Sequence, residues 1–156
     1  MIHWQRLNHS HIPELYRIAL AAEPFRNRLG ILQFEIEMGG RDGLVFFNGA
    51  DMIGAATLGE YVPAVDITMH CFILPSWQKR WLTRKALKEY FSIPFVNLGL
   101  ERVSGFYVKG LNDSVAVFQR KLGFIEEGTK RRAYMQDGKF YDVVYCGMLR
   151  AECRWL

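Results

Sequence analysis

The chain has 156 residues, of which 50% are hydrophobic and 23% charged, with 20 basic against 16 acidic side chains. This composition excludes a disordered or fibrous protein, and the length predicts a single domain over residues 1–156 that can bury a core without disulfides or metals. The net charge of +4 favours anionic ligands such as a phosphorylated cofactor, an acidic protein or nucleic acid, without choosing between them.

The cysteines and the hydropathy pattern indicate the compartment. Cys71, Cys146 and Cys153 are far apart and lack metal-binding or CxxC spacing, so we expect reduced thiols. No run approaches the roughly 18 apolar residues of a membrane span. Residues 1–6 lack the layout of a signal peptide. We therefore expect a cytoplasmic protein without membrane contact.

The N-terminal third predicts an edge strand over residues 2–7 and then two helices. The first helix begins at Ser10, has Pro13 in its first turn and ends before Pro24. Apolar residues at spacings of three and four give it a buried stripe: Ile12, Leu15, Tyr16, Ala19 and Leu20. The second helix shows similar spacing and ends at Gly39-Gly40. Its apolar residues are Phe25, Leu29, Leu32 and Ile36.

Strands are predicted next. Leu44 to Phe47 and Met52 to Leu58 flank Asn48-Gly49, the strongest short hairpin signal in the chain. The strand Val65 to Ile73 alternates between two faces. Its apolar face consists of Ile67, Met69, Cys71 and Ile73, and its mostly polar face of Asp66, Thr68, His70 and Phe72.

A helix over Leu82 to Phe91 follows, closed by Pro94 with Gly99, and then a strand over Arg102 to Val108. Two helices, a hairpin and then alternating strands and helices predict a mixed α/β sheet with helices on its faces. His9 and His11 have no third ligand type nearby, so we expect no metal site.

The last third contains the most informative pattern. Asn112 is a helix N-cap followed by Asp113 and Ser114, and the helix buries Val115, Phe118 and Leu122 before it stops at Gly123. A strand should restart at Phe124. Further along are Glu126-Glu127-Gly128, Gly138 to Asp142, and a closing apolar strand over Val143 to Leu149.

This order, with Lys121-Leu122-Gly123-Phe124 at its centre, resembles the C-terminal half of the GNAT acetyltransferase superfamily, above all the branch that acetylates N-terminal amines of ribosomal proteins. The resemblance covers roughly residues 60–155. It implies an α/β (α+β) fold with a mixed, mostly antiparallel central sheet flanked by helices on both faces. It also implies an enzyme that transfers the acetyl group of acetyl-CoA to a primary amine by direct attack in a ternary complex.

By this resemblance, two segments would hold acetyl-CoA. The family's pyrophosphate loop, Arg/Gln-x-x-Gly-x-Gly/Ala, corresponds here to Gln78, Lys79, Arg80, Trp81, Leu82 and Thr83. The loop is degenerate, because Trp81 and Thr83 replace small residues, although basic side chains including Arg84 could neutralise phosphates directly. Taken alone, these basic residues fit a solvated helix start better than a phosphate site, but the strand before them and the Asn112 helix after them reverse that preference. Asn112 would contact the pantetheine arm.

The reaction also requires a base that deprotonates the incoming ammonium. Asp66 and His70, on the polar face of one strand, are the first candidates, with Glu60 third. A lone histidine beside Cys71 is also typical of a satisfied core residue.

Two further groups are implied. Backbone N–H groups of Phe72, Ile73 and Leu74 would polarise the thioester carbonyl. Gln119 stands where many members have a tyrosine that protonates the leaving thiolate, so Ser114, a water or no group would act as the acid.

The acceptor stays open between a protein N-terminus, a polyamine, an aminoglycoside-like antibiotic and an aminated metabolite or base. The alternative is a catalytically inactive GNAT-fold binding or inhibitory module, supported by the replacements at Trp81, Thr83 and Gln119. Lys130-Arg131-Arg132 hints at nucleic-acid binding, but the preceding glutamates interrupt the basic stripe and weigh against it. The apolar Trp155-Leu156 could be covered in a homodimer.

Overall fold

A seven-stranded sheet forms the centre of the structure, a computed structural model that describes residues 1–22 and 30–156. Its strands are β1 Ile2–Arg6, β2 Asp42–Asn48, β3 Asp51–Val62, β4 Asp66–Ile73, β5 Arg102–Val108, β6 Ile125–Gln136 and β7 Lys139–Leu149. The strand order is β1-β2-β3-β4-β5-β7-β6, and among these strands only β4 and β5 pair in parallel. The predicted mixed, mostly antiparallel sheet is confirmed.

Four α-helices lie in the described ranges: α1 Ile12–Ala22, α2 Ile31–Met38, α3 Arg84–Ser92 and α4 Asp113–Leu122. The first two pack on one face of the sheet around Val45, Ala55 and Phe72, and α3 packs on the opposite core, which includes Ile67 and Met69. Helices therefore cover both faces, as predicted. No helix in residues 1–22 and 30–156 is long and apolar enough to cross a membrane.

The first helix begins at Ile12, two residues later than predicted. Residues His9–His11 form a 3-10 turn instead, because the Asn8 side chain accepts the Ser10 N–H at 3.0 Å. Ile12 and Leu15 are buried as expected, together with Ile18. Of the second predicted helix, Phe25 and Leu29 lie outside the described residues, as does Pro24.

The β2–β3 hairpin is confirmed, with its two-residue turn at Gly49-Ala50, because Asn48 and Asp51 pair with each other. Gly49 has φ +61, a conformation that glycine adopts without strain. The β6–β7 hairpin extends the predicted closing strand back to Lys139. Asp137 and Gly138 both have positive φ there, the type I′ geometry that matches strand twist.

One predicted boundary differs from the structure. Pro94 does not close α3, because the helix continues into a π-turn over Ile93–Asn97 that contains Pro94. Trp155, for which the sequence suggested cover in a homodimer, is partly buried within the chain, whereas Leu156 is exposed. The Trp155 indole Nε1 donates to the Leu122 carbonyl at 2.8 Å, and its ring packs on the same core as α3.

Candidate functional site

The parallel strands β4 and β5 pair only at their beginnings and then separate. The Arg102 N–H donates to the Val65 carbonyl at 3.0 Å, and Thr68 pairs with Ser104, after which no further β4–β5 pair occurs in the described sheet. The gap contains a cavity of about 60 Å³. The residues that line it are Met69, His70, Cys71, Phe72, Phe106, Asn112, Val115, Phe118 and Gln119.

One wall of this cleft is the backbone of β4. The Leu74 N–H donates to the Ile53 carbonyl of β3 at 2.9 Å, and hydrogen-bonded pairs alternate along an antiparallel ladder. Phe72 therefore also turns its N–H toward β3, whereas the Ile73 N–H points to the side of β5. Of the three predicted oxyanion donors, Ile73 is the one whose N–H is directed away from β3.

The opposite wall is β5, covered by the start of α4. Asn112 occupies the N-cap position, but its side chain does not cap the helix as predicted. The Val108 N–H donates to Asn112 Oδ1 at 2.7 Å instead. The Asp113 carboxylate accepts the Gly110 N–H at 3.0 Å and so closes the preceding turn. Asn112 thus lines the cleft with its amide Nδ2 as the remaining donor.

Gln119 lies deepest in this wall. It is 7% exposed, donates from Nε2 to the Phe106 carbonyl at 3.2 Å, and accepts the Cys146 S–H on Oε1 at 3.0 Å. Burial raises the pKa of Cys146 to about 12, so the thiol stays protonated and able to donate. Sequence reasoning treated Gln119 only as a replaced tyrosine. Its position between Ala116 and Leu122, at spacings of three, was the signal for a buried role.

His70 lines the cleft and contacts the carboxylate of Glu60. Its Nε2 lies 2.7 Å from Glu60 Oε2, and Arg41 Nη2 lies 3.4 Å from the other Glu60 oxygen. The His70 side chain is 8% exposed and its ring meets the Phe106 ring edge-on at 5.7 Å. Glu60 has φ +51 at an irregularity in β3, which places its side chain beside β4. The structure therefore brings two of the three predicted bases into contact.

Asp66, the other predicted base, belongs to a separate cluster. Ser104 Oγ donates to Asp66 Oδ2 at 2.5 Å, and Arg102 bridges Asp66 and Glu127. Hydrogen bonding to Glu127 raises the pKa of Arg102. Asp66 lies four residues from His70 on the same strand, about 13 Å apart. The two side chains therefore cannot both deprotonate one amine.

The carboxylates near His70 and Asp66 are paired with arginines: Arg41 contacts Glu60, and Arg102 contacts Asp66 and Glu127. A side chain at Gly59 would collide with Arg41, and one at Gly147 would collide with Arg102 and Glu127. The two glycines thus let the guanidinium groups lie flat on the sheet.

Asp66 Oδ1 is buried without a hydrogen-bond partner among the described residues. No group of three or more histidine, cysteine or acidic side chains in the described ranges could hold a metal ion.

The predicted pyrophosphate loop lies between β4 and α3. Gln78, Lys79 and Arg80 are exposed, and the Arg80 guanidinium stacks over the Trp77 ring at 4.6 Å. Trp81, in contrast, is 3% exposed and packs on the rings of Phe46 and Phe118 at 4.8 and 5.7 Å.

The same loop ends by capping α3. Thr83 Oγ1 accepts the Ala86 N–H at 3.1 Å, and Leu82 is partly buried beside it. On the other side of the cleft, Ser114 is exposed in the first turn of α4 and does not line the cavity. His70 and Asn112 therefore both line the cavity, whereas Ser114 does not.

No protein-family model and no curated protein matches the sequence. Solved structures do match it. A spermidine N-acetyltransferase from Vibrio cholerae in complex with CoA and spermine is 15% identical, with a TM-score of 0.76 over 97% of this chain and 96% of that one. A GNAT-family acetyltransferase from Streptococcus pneumoniae is 19% identical, with a TM-score of 0.73 over 96% of this chain and 99% of that one. The chain has the GNAT fold.

Proposed function

We propose that this chain is an acetyl-CoA-dependent N-acetyltransferase in which a primary amine attacks the thioester directly within the β4–β5 cleft. The observation that carries the proposal is the end of β4–β5 pairing after Thr68, which opens a cavity between two strands with His70 and Glu60 at its side. The pantetheine arm that carries the thioester is narrow and rich in amide groups, so it can lie between two separated strands. The GNAT fold supports this function by analogy.

The donor would be held from three sides. The Ile73 N–H is directed at the place of the thioester oxygen, where it stabilises the charge that develops there. Asn112 donates from Nδ2 to a carbonyl of the arm, because Val108 already occupies its Oδ1.

The phosphates lie near the loop at the start of α3. Here Lys79 and Arg80 neutralise them through side chains, with Gln78 beside them, while Trp81 and Leu82 pack inward and Thr83 caps the helix. This arrangement differs from backbone binding of phosphate at a helix end, because the cap already uses the Ala86 N–H.

His70 is the general base in this proposal. Glu60 accepts a hydrogen bond from one ring nitrogen and thereby fixes the orientation of the imidazole, and Arg41 holds Glu60. Asp66 lies too far along the strand to share that proton and instead contributes negative charge to the acceptor side. Ser114 lies outside the cavity, so water protonates the leaving thiolate.

The acceptor side favours a cationic amine. Glu60, Asp66 and Glu127 are three carboxylates against the two guanidinium groups of Arg41 and Arg102, which leaves one net negative charge there in a chain whose net charge is +4. Such a local field attracts an ammonium group. The Vibrio cholerae neighbour was solved with spermine, which is consistent with polyamines as first candidates beside protein N-termini.

A thiol-release assay with acetyl-CoA and a panel of amines tests the proposal. We expect turnover with at least one primary amine, and a 10²- to 10⁴-fold lower kcat in His70→Ala. Glu60→Gln should lower kcat less, and Lys130→Ala on the exposed β6 strand serves as a control with unchanged turnover. Binding of CoA without thiol release from any amine would contradict the enzymatic proposal and favour a binding module.

A further inference from the structure

We propose that Gln119 and Asn112 are positioning residues that hold the β4–β5 cleft open before any ligand binds. They do so by occupying the backbone groups of β5 that would otherwise pair with β4. The inference rests on the proposed function only in taking this cleft as the donor site. The hydrogen bonds that carry it belong to the chain itself.

The direction of the β5 backbone is set by its neighbours. The Arg102 N–H donates to the Val65 carbonyl, and the Lys109 N–H donates to the Asp142 carbonyl on the other side. Since successive residues of a strand alternate between the two sides, even-numbered residues of β5 face β4 and odd-numbered ones face β7. The Phe106 carbonyl and the Val108 N–H therefore both point into the gap that β4 has left.

Two side chains of the α4 segment take the place of β4 at these groups. Gln119 Nε2 donates to the Phe106 carbonyl at 3.2 Å, and Asn112 Oδ1 accepts the Val108 N–H at 2.7 Å. The Val108 carbonyl accepts the N–H groups of Leu111 and Asn112, both at 3.1 Å. The Phe106 carbonyl and both backbone groups of Val108 thus have partners within the chain.

The local sequence accommodates this arrangement. A side chain at Gly105 would lie 2.9 Å from Gln119 Nε2 and 3.2 Å from Cys146 Sγ, so glycine leaves the room in which the carboxamide lies. The Cys146 thiol then fixes the other end of that carboxamide at 3.0 Å. Gln119 is therefore held at both ends, with its donor aimed at β5.

Removing these partners should close the cleft. A buried carbonyl or N–H without a partner is costly, and the nearest replacement is β4. Continuing the register of Thr68 with Ser104 would place His70 opposite Phe106 and fill the cavity with paired backbone. The Ile73 N–H would then lose its access to a ligand.

Hydrogen exchange without ligand tests this closure. In Gln119→Met, which keeps the side-chain length but cannot donate a hydrogen bond, the amides of Cys71 and Ile73, which face β5, should exchange at least tenfold more slowly than in the wild type. Val117→Ala, on the exposed side of the same helix, should leave their exchange unchanged. Unchanged or faster exchange at Cys71 and Ile73 in a folded Gln119→Met would overturn the proposal.

A second variant and a binding measurement complete the test. Gln119→Leu also lacks the donor for Phe106 and has a side chain of similar size, so the same slower exchange is expected even if the methionine variant does not fold. Calorimetry should show at least a tenfold higher Kd for CoA in both variants, with KM raised more than kcat is lowered. Wild-type affinity in both would contradict the role of Gln119. If the wild type itself binds no CoA, the proposed function fails, and the exchange result still decides on the cleft.

Discussion

The two loops that flank the cleft use their side chains in opposite ways. The loop between β4 and α3, residues 74–83, buries the indole of Trp81 between Phe46 and Phe118. The loop between β5 and α4, residues 109–112, turns the Asn112 carboxamide back onto the Val108 N–H. The first loop contributes apolar area to the core, and the second supplies hydrogen bonds to an interrupted strand.

This difference follows from what each loop has to satisfy. Where a loop bridges a strand and a helix, a large apolar side chain such as that of Trp81 can point inward if the core has room for it. Where a neighbouring strand has separated and no longer pairs with backbone N–H and C=O groups, a side chain with a matching donor or acceptor must take over those hydrogen bonds. The comparison therefore predicts a packing defect from mutation of the first loop and a hydrogen-bonding defect from mutation of the second.

Trp81→Ala should have the largest effect on stability. Loss of a fully buried indole that contacts two aromatic rings should cost about 3–5 kcal/mol in the free energy of unfolding. Urea denaturation measures this directly, and Trp81→Phe should recover a large part of the loss. A cost under about 1 kcal/mol would show that the loop is peripheral to the core and would remove the contrast between the two loops.

Asn112→Leu should come next. The variant leaves the Val108 N–H without its acceptor and should cost about 1–3 kcal/mol. Asn112→Asp retains Oδ1 as the acceptor and should stay near the stability of the wild type, while it loses the Nδ2 donor toward the cleft. Equal destabilisation in both variants would contradict the assignment of Oδ1 to Val108.

Sequence patterns predicted the elements better than the contacts. Hydrophobic alternation placed β4 and β5 within a residue of their observed bounds, because a period of two is visible in the chain itself. The pairing of His70 with Glu60 was not visible, since it depends on a β3 irregularity where Glu60 adopts positive φ. The spacing suggested both Asp66 and His70 as bases, and only the sheet register assigned them to different clusters.

The same limit applies to Asn112 and Gln119. Their residue types fit a helix cap and a replaced acid, and both predictions considered only their own helix. Their partners lie on β5 and β7, where the need for a donor or acceptor arises from the separation of β4 from β5. A side chain that satisfies a distant backbone group leaves no local signal in the sequence.

Thr83→Ala tests the first loop through a smaller loss of stability. The Thr83 hydroxyl caps α3 through the Ala86 N–H, so its loss should cost about 1 kcal/mol, whereas Thr83→Gly should cost only a few tenths. If phosphate competes with the cap, both variants should also lower the Kd for CoA, because each frees the Ala86 N–H. An unchanged or higher Kd in both variants would contradict this competition.

The pH dependence of stability should have a source outside both loops, since neither contains a histidine. Burial lowers the pKa of His11 below its usual 6.5, and its Nδ1 accepts the Asn8 N–H at 3.2 Å. As the pH falls below 6.5, the unfolded chain binds a proton that the folded one excludes, so stability falls. In His11→Asn, which keeps an acceptor near the position of Nδ1, melting temperatures between pH 5 and 6.5 should decline less steeply than in the wild type. The same slope in both proteins would assign the acid sensitivity to another group, whereas a flatter slope in the variant would place it at the start of α1, away from the cleft.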